Sequence, residues 1–96
     1  MDSSTINPEP KEAFSVYLLR SKTSNFRYVG MTNNLARRIQ EHNRGEVKST
    51  APYRPFSHIV LGNHVCRSEA RKAERYFKSG FGRKAIDHLL KHYGPP

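Results

Sequence analysis

Tyr17 and Tyr28 lie in two short runs of β character, Ser15-Val16-Tyr17-Leu18-Leu19 and Phe26-Arg27-Tyr28-Val29-Gly30, and Arg38 and His42 follow four residues apart on a helical pattern. Glu74 comes later, on a second helical pattern. Each has an ordinary reading: cross-strand packing for the tyrosines, a solvated helix face for Arg38 and His42, an ion pair with Lys78 or Arg71 for Glu74. Taken together they are a set that can hold water, phosphate and metal at one place. That combination points to phosphodiester chemistry.

Such chemistry needs a positioned nucleophile, charge stabilisation at the phosphorus-bound oxygens and help for the departing oxygen. Tyr17 is the candidate acceptor of the attacking water's proton, and Tyr28 the group that orients that water. A free phenol titrates near pH ~10, so a base role calls for a neighbouring cation or donor that favours the phenolate. Arg38 is that cation, and its planar donor fork also suits a phosphate oxygen. His42 is placed to polarise the water or assist proton movement. Glu74 is the candidate ligand for one Mg²⁺ or Mn²⁺ that also contacts the phosphate, weakly held until substrate arrives because one carboxylate is a thin site.

The elements that must position these residues follow from pattern. Val16, Leu18 and Leu19, then Phe26, Tyr28, Val29 and Met31, suit a pleated surface, and the polar Ser21 to Asn25 between them predicts an antiparallel hairpin with both tyrosines on one face. Gly30 is expected to end the hairpin. Thr32-Asn33-Asn34 offers N-caps for a helix from Leu35 to Asn43, with Leu35 and Ile39 facing the core and Arg38 and His42 on an adjacent row. Pro52 and Pro55 make Glu46 to Ser57 a loop. A third strand is expected over His58 to Val65, then a helix capped by Ser68 and running to about Lys78 with Ala70, Ala73 and Phe77 on its apolar stripe. Gly80-Phe81-Gly82 is expected to break the chain before a last helix carrying Ile86, Leu89, Leu90 and Tyr93.

Length and charge narrow the partners. Ninety-six residues suffice for one domain, expected over residues 14–94, with the polar, proline-bearing residues 1–13 as a loose leader. Lys and Arg number 17 against 8 Asp and Glu, a formal net charge of +9, and 16 of the 17 basic residues lie between Arg20 and Lys91, so a nucleic acid is the first candidate partner. Arg37, Lys48, Arg54, Arg71 and Arg75 are the residues expected to meet backbone phosphates. Cys66 is the sole cysteine, which excludes an intramolecular disulfide and reads as a buried small apolar residue. His88 and His92, with His64 and Cys66, lack the compact framework of a zinc site. The start of the chain has neither a basic nor an apolar stretch, and no apolar run approaches the ~20 residues of a membrane helix. A soluble cytoplasmic protein is expected, with no membrane partner, nucleoid-associated in a bacterium.

Val16-Tyr17, Tyr28-Val29-Gly30, Arg38, His42 and Glu74 within Glu69-Ala70-Arg71-Lys72-Ala73-Glu74-Arg75-Tyr76 resemble, in order and spacing, the GIY-YIG nuclease superfamily. Glu41-His42-Asn43-Arg44-Gly45 and Lys78-Ser79-Gly80-Phe81-Gly82-Arg83 look like its small stand-alone bacterial branch. The resemblance covers Phe14 to about Lys91. It implies an α/β (α+β) fold, a three-stranded, mainly antiparallel sheet flanked by helices, with a shallow active face. Relatives include repair nickases, homing endonucleases and restriction enzymes that add separate DNA-recognition regions, for which this chain has no room. A metal-dependent endonuclease acting on DNA with little sequence specificity is therefore the expected function, with RNA as a second substrate candidate and an unidentified partner needed for any targeting. The alternative is a noncatalytic nucleic-acid-binding module on the same fold. Ser15 stands where the motif has glycine, a change that bears on backbone freedom at a strand position.

Overall fold

The computed structural model describes residues 13–93. Most of the expected leader, and Gly94 at the end of the expected domain, lie outside them. Three strands, β1 (Phe14–Ser21), β2 (Arg27–Thr32) and β3 (Phe56–His64), form one antiparallel sheet in the order β2-β1-β3. Three helices follow the chain order α1 (Leu35–Arg44), α2 (Arg67–Lys78) and α3 (Gly80–Tyr93), with a single 3₁₀ turn at Ala51–Tyr53. The protein is an α+β domain with an antiparallel three-stranded sheet and flanking helices.

The centre strand explains its own sequence. β1 pairs on both sides, and both of its faces are covered, so Phe14, Val16, Leu18 and Leu19 are all buried rather than alternating with polar residues. One face, Phe14, Val16 and Leu18, packs with Val29, Ala70 of α2 and Ile86 of α3, and Ala73, Phe77 and Leu90 extend the contact. The other face, Tyr17 and Leu19, packs with Ile39 of α1 and Phe56, joined by Phe26, Tyr28 and Leu35. Alternation of side chains along β1 thus sends Tyr17 to the α1 face and its neighbours to the α2/α3 face. Between Val16 and Tyr17 the pairing with β3 shifts, from Gly62 to Val60, which leaves Leu61 as an extra residue in a β-bulge beside Tyr17.

α1 begins where Asn34 accepts a hydrogen bond from the Arg37 amide at 3.1 Å, and it ends at Gly45, whose φ of 81° is the left-handed conformation glycine adopts without strain. Four expectations need correction. β2 continues through Gly30 to Thr32, because the edge strand keeps its pairing with β1 as far as Ser15. The third strand starts at Phe56 rather than His58, since Ser57 and Phe56 still pair with Arg20 and Ser21. Gly80-Phe81-Gly82 does not separate α2 from α3 but forms the first turn of α3. Ser79 alone makes the junction: its hydroxyl donates to the Tyr76 carbonyl and accepts from the Gly82 amide at 3.2 Å, while a side chain at Gly82 would collide with the backbone of Tyr76 and Phe77. Finally, Cys66 is exposed, because it occupies the N-cap of α2 in place of Ser68, outside the buried face of that helix.

Candidate active site

Register builds the site at the free edge of β2. Tyr17 pairs with Gly30 and Tyr28 with Leu19, so the two tyrosines sit diagonally on one face with ring centroids 6.4 Å apart. The missing side chain at Gly30 is what lets the Tyr17 ring lie across β2: a Cβ there would stand 2.5 Å from the Tyr17 hydroxyl and 2.9 Å from Cε2 of Tyr28. His42, one turn beyond Arg38 on α1, completes an aromatic triangle, 5.7 Å from Tyr17 and 5.4 Å from Tyr28.

A chain of hydrogen bonds runs inward from Tyr17. Its hydroxyl lies 2.9 Å from His42 Nε2, and His42 Nδ1 lies 2.8 Å from the Thr50 hydroxyl, which in turn donates to the Val47 carbonyl at 3.3 Å. That last donation commits the Thr50 proton, so Thr50 accepts from Nδ1–H and the Nε2 lone pair accepts from Tyr17. The Tyr17 oxygen is left as an acceptor toward Arg38. Tyr17 and His42 are 1% and 0% exposed, and burial sets both proton affinities. It pushes the phenol up to about 12, with the Arg38 guanidinium working the other way, and the imidazole down to about 4, with Arg38 adding to that fall. Both directions keep the proton on Tyr17 in the resting site. At neutral pH the pair is a phenol held by a neutral imidazole.

Arg38 connects this buried pair to a cleft of about 340 Å³, lined also by Thr32, Arg37, Arg67, Arg71 and Glu74. Glu41 anchors its α1 wall, 2.8 Å from Arg38 and 3.4 Å from Arg37. These guanidinium groups hold the Glu41 carboxyl below its ordinary value, Arg38 most strongly. The Glu74 side chain is 16% exposed and pairs with Lys78 at 3.2 Å, and Lys78 also stands 5.8 Å from the centroid of the Tyr28 ring. Among the described residues no three His, Cys, Asp or Glu side chains gather as a metal cluster. A lone half-buried carboxylate fits a hard divalent ion that keeps most of its water and takes phosphate oxygens as further ligands. It does not fit an ion caged by protein alone.

The structure brings Tyr17, Tyr28, Arg38 and His42 together and sets Glu74 on the facing wall of the cleft. Of the expected phosphate contacts, Arg37 and Arg71 line that cleft. Arg54 packs instead against Gly45 and donates to the Ala51 carbonyl at 2.7 Å, while Lys48 and Arg75 are exposed outside it. His42 is buried beneath Tyr17 rather than facing solvent, so its reach is to the phenol and not to a water in the cleft. Ser15, in the motif's first glycine position, donates to Asn63 across the sheet at 2.7 Å. Sequence reasoning missed Thr50, Glu41, Arg67 and the packing role of Gly30. Glu41 carried a signal, its three- and four-residue spacing from Arg38 and Arg37.

The chain matches the GIY-YIG catalytic domain over residues 13–87. It is 36% identical to the UPF0213 protein YazA of Bacillus subtilis over 63 residues, 65% of this chain and 63% of that protein. A UPF0213 protein of Nitratidesulfovibrio vulgaris is 34% identical over 73 residues, 75% of this chain and 66% of its own length. The UPF0213 protein lwe0147 of Listeria welshimeri is 39% identical over 75 residues, 77% and 81% of the two chains. The chain thus spans just under two thirds of the first two relatives. No solved structure matches it. With the tyrosine pair, the arginine and histidine row and the glutamate standing in that order inside the matched residues, the chain belongs to the GIY-YIG catalytic domain family.

Proposed function

We propose that this protein is a metal-dependent endonuclease that hydrolyses DNA phosphodiester bonds with little sequence specificity. The observation that carries the reading is the polarity of the Tyr17–His42–Thr50 chain, which leaves the Tyr17 oxygen as an acceptor for Arg38, a wall of the arginine-lined cleft that bears Glu74. A phosphate entering that cleft meets Arg37, Arg67 and Arg71 and draws the Arg38 fork to a non-bridging oxygen. Turning Arg38 away uncovers the Tyr17 oxygen, which takes the attacking water's proton as the phenol passes its own to His42 Nε2, while the new P–O bond forms and the bond to the departing oxygen breaks. His42 holds the phenol in place, and Tyr28 closes the other side. Glu74 is the residue that would hold a divalent ion, which supplies charge neutralisation at the phosphate when bound.

Backbone contacts dominate recognition in this reading, because the cleft offers guanidinium groups on two helices and no element shaped to read base edges. Action inside the cell on DNA belongs to the same proposal. The test is incubation of purified protein with supercoiled, single-stranded and branched DNA, with Mg²⁺ or Mn²⁺ and with EDTA. Nicking that EDTA abolishes supports the enzyme. Binding without cleavage in either metal supports the noncatalytic module instead.

A further inference from the structure

A second cleft of about 480 Å³ opens on the other side of the Glu74–Lys78 ion pair, between the start of β2 and the α2–α3 junction. Its character differs from the arginine cleft. Arg27, Lys78 and Arg83 supply three cations at its rim, the half-buried Tyr28 and Phe77 supply apolar surface, and the buried Leu18 and Ile86 lie beneath. The acidic group facing them is Asp87, paired with Arg27 at 2.9 Å and itself 60% exposed at its side chain. Lys78 belongs to both clefts in effect: it lines the second while its ammonium holds Glu74 of the first. Tyr28 lines the second cleft as well. A strand with one phosphate over Glu74 and Tyr28 therefore has a cationic cleft on each side of that phosphate.

Resting on the nuclease reading, we infer that this second cleft is a nucleotide subsite for the cleaved DNA strand. Lys78 and Arg83 take the phosphate adjoining the scissile one, and the apolar surface takes its sugar and base. The mixed chemistry suits a whole nucleotide, whereas the arginine cleft suits phosphate alone. The substrate strand then runs along the β2 edge, from Arg67 and Arg71 across Glu74 to Arg83.

The experiment is equilibrium binding of a fluorescein-labelled DNA duplex by anisotropy in EDTA, for wild type, Arg83→Gln, Arg71→Gln and Lys91→Gln. Lys91 lies on α3 with Arg83 but outside the cleft, and thermal melts of each variant check the fold. Loss of one phosphate contact weakens binding about eightfold at about 0.1 M salt and about threefold at about 0.3 M, and reduces the salt slope by about 0.9. That result is expected for Arg83→Gln and for Arg71→Gln, with Lys91→Gln unchanged. Loss in Arg71→Gln alone overturns the subsite and leaves the nuclease reading standing. Equal losses in Arg83→Gln and Lys91→Gln overturn it too, because they reflect diffuse charge. Absence of DNA binding by the wild type overturns both, whereas Arg83-dependent binding without nicking in Mg²⁺ or Mn²⁺ overturns the nuclease reading and with it the scissile assignment, leaving the second cleft as a binding site for a DNA strand that is not cleaved.

Discussion

Replacing Gly30 by alanine should disable the site while leaving the protein folded. The added Cβ would stand 2.5 Å from the Tyr17 hydroxyl oxygen, 2.7 Å from Cζ and 2.9 Å from Cε2 of Tyr28. Non-bonded carbons settle at about 3.5–4.0 Å, so the end of the Tyr17 ring must retreat by roughly 1 Å. The strand cannot yield easily, since β1 is paired on both sides, and Tyr17 is 1% exposed. The retreat therefore falls on the 2.9 Å bond to His42. Overpacking of this kind costs about 1–3 kcal/mol, and a lost hydrogen bond about 1 more. Misplacing a reacting group by about 1 Å costs on the order of 10²-fold in rate. The assay is single-turnover nicking at saturating DNA, read beside a thermal melt. Gly62→Ala is the control, because its Cβ would meet only the mobile end of His64, at 3.2 Å. A folded Gly30→Ala protein with wild-type turnover would refute the argument that Gly30 positions Tyr17.

Two further outcomes follow from the buried pair and from the ion pair. His42 titrates at about 4 in the fold against about 6.5 unfolded, so its neutral form stabilises the protein fully above pH ~6.5. That contribution, on the order of 3 kcal/mol, is lost as pH falls toward 4. Urea denaturation from pH 7 to 4.5 should show a steeper decline in wild type than in His42→Gln, and parallel curves would contradict the burial argument. Lys78→Met should tighten Mn²⁺ binding to the DNA-free protein severalfold, because the ion no longer has to displace the Lys78 ammonium from the half-buried Glu74 carboxylate. Calorimetry that finds equal affinity would remove Lys78 as a competitor for Glu74.

The clustering of the candidate residues was legible in the sequence because their partners are local or periodic. Arg38 and His42 are one turn apart, Glu74 borders an apolar stripe, and a two-residue period puts Tyr17 and Tyr28 on one face whichever diagonal they take. What stayed hidden depends on register and on loop path. Gly30 shows its role only once it is known to face Tyr17, and a single-residue slip would have hidden it. Thr50 reaches His42 from a connection whose course no periodicity describes. Arg67 joins the cleft because α2 starts one residue before Ser68, and the exposure of Cys66 has the same cause. The junction at Ser79 was misread because two glycines suggest a break, whereas Gly82 is there to let the helices approach.

The central claim is that Tyr17 and Glu74 perform phosphodiester hydrolysis at the rim of β2. The most direct measurement is single-turnover cleavage of one DNA by wild type, Tyr17→Phe and Glu74→Ala in Mg²⁺ and Mn²⁺, with DNA affinity and melting temperature taken on the same samples. Tyr17→Phe leaves His42 Nε2 without its donor at a cost of about 1–3 kcal/mol, and Glu74→Ala removes a half-buried carboxylate outside the core, so both should still fold, the first with a lowered melting temperature, and bind DNA as the wild type does. Cleavage by the wild type that falls by orders of magnitude in both variants at unchanged affinity is the predicted result. Equal cleavage by all three proteins, or binding without cleavage by the wild type in either metal, would contradict it.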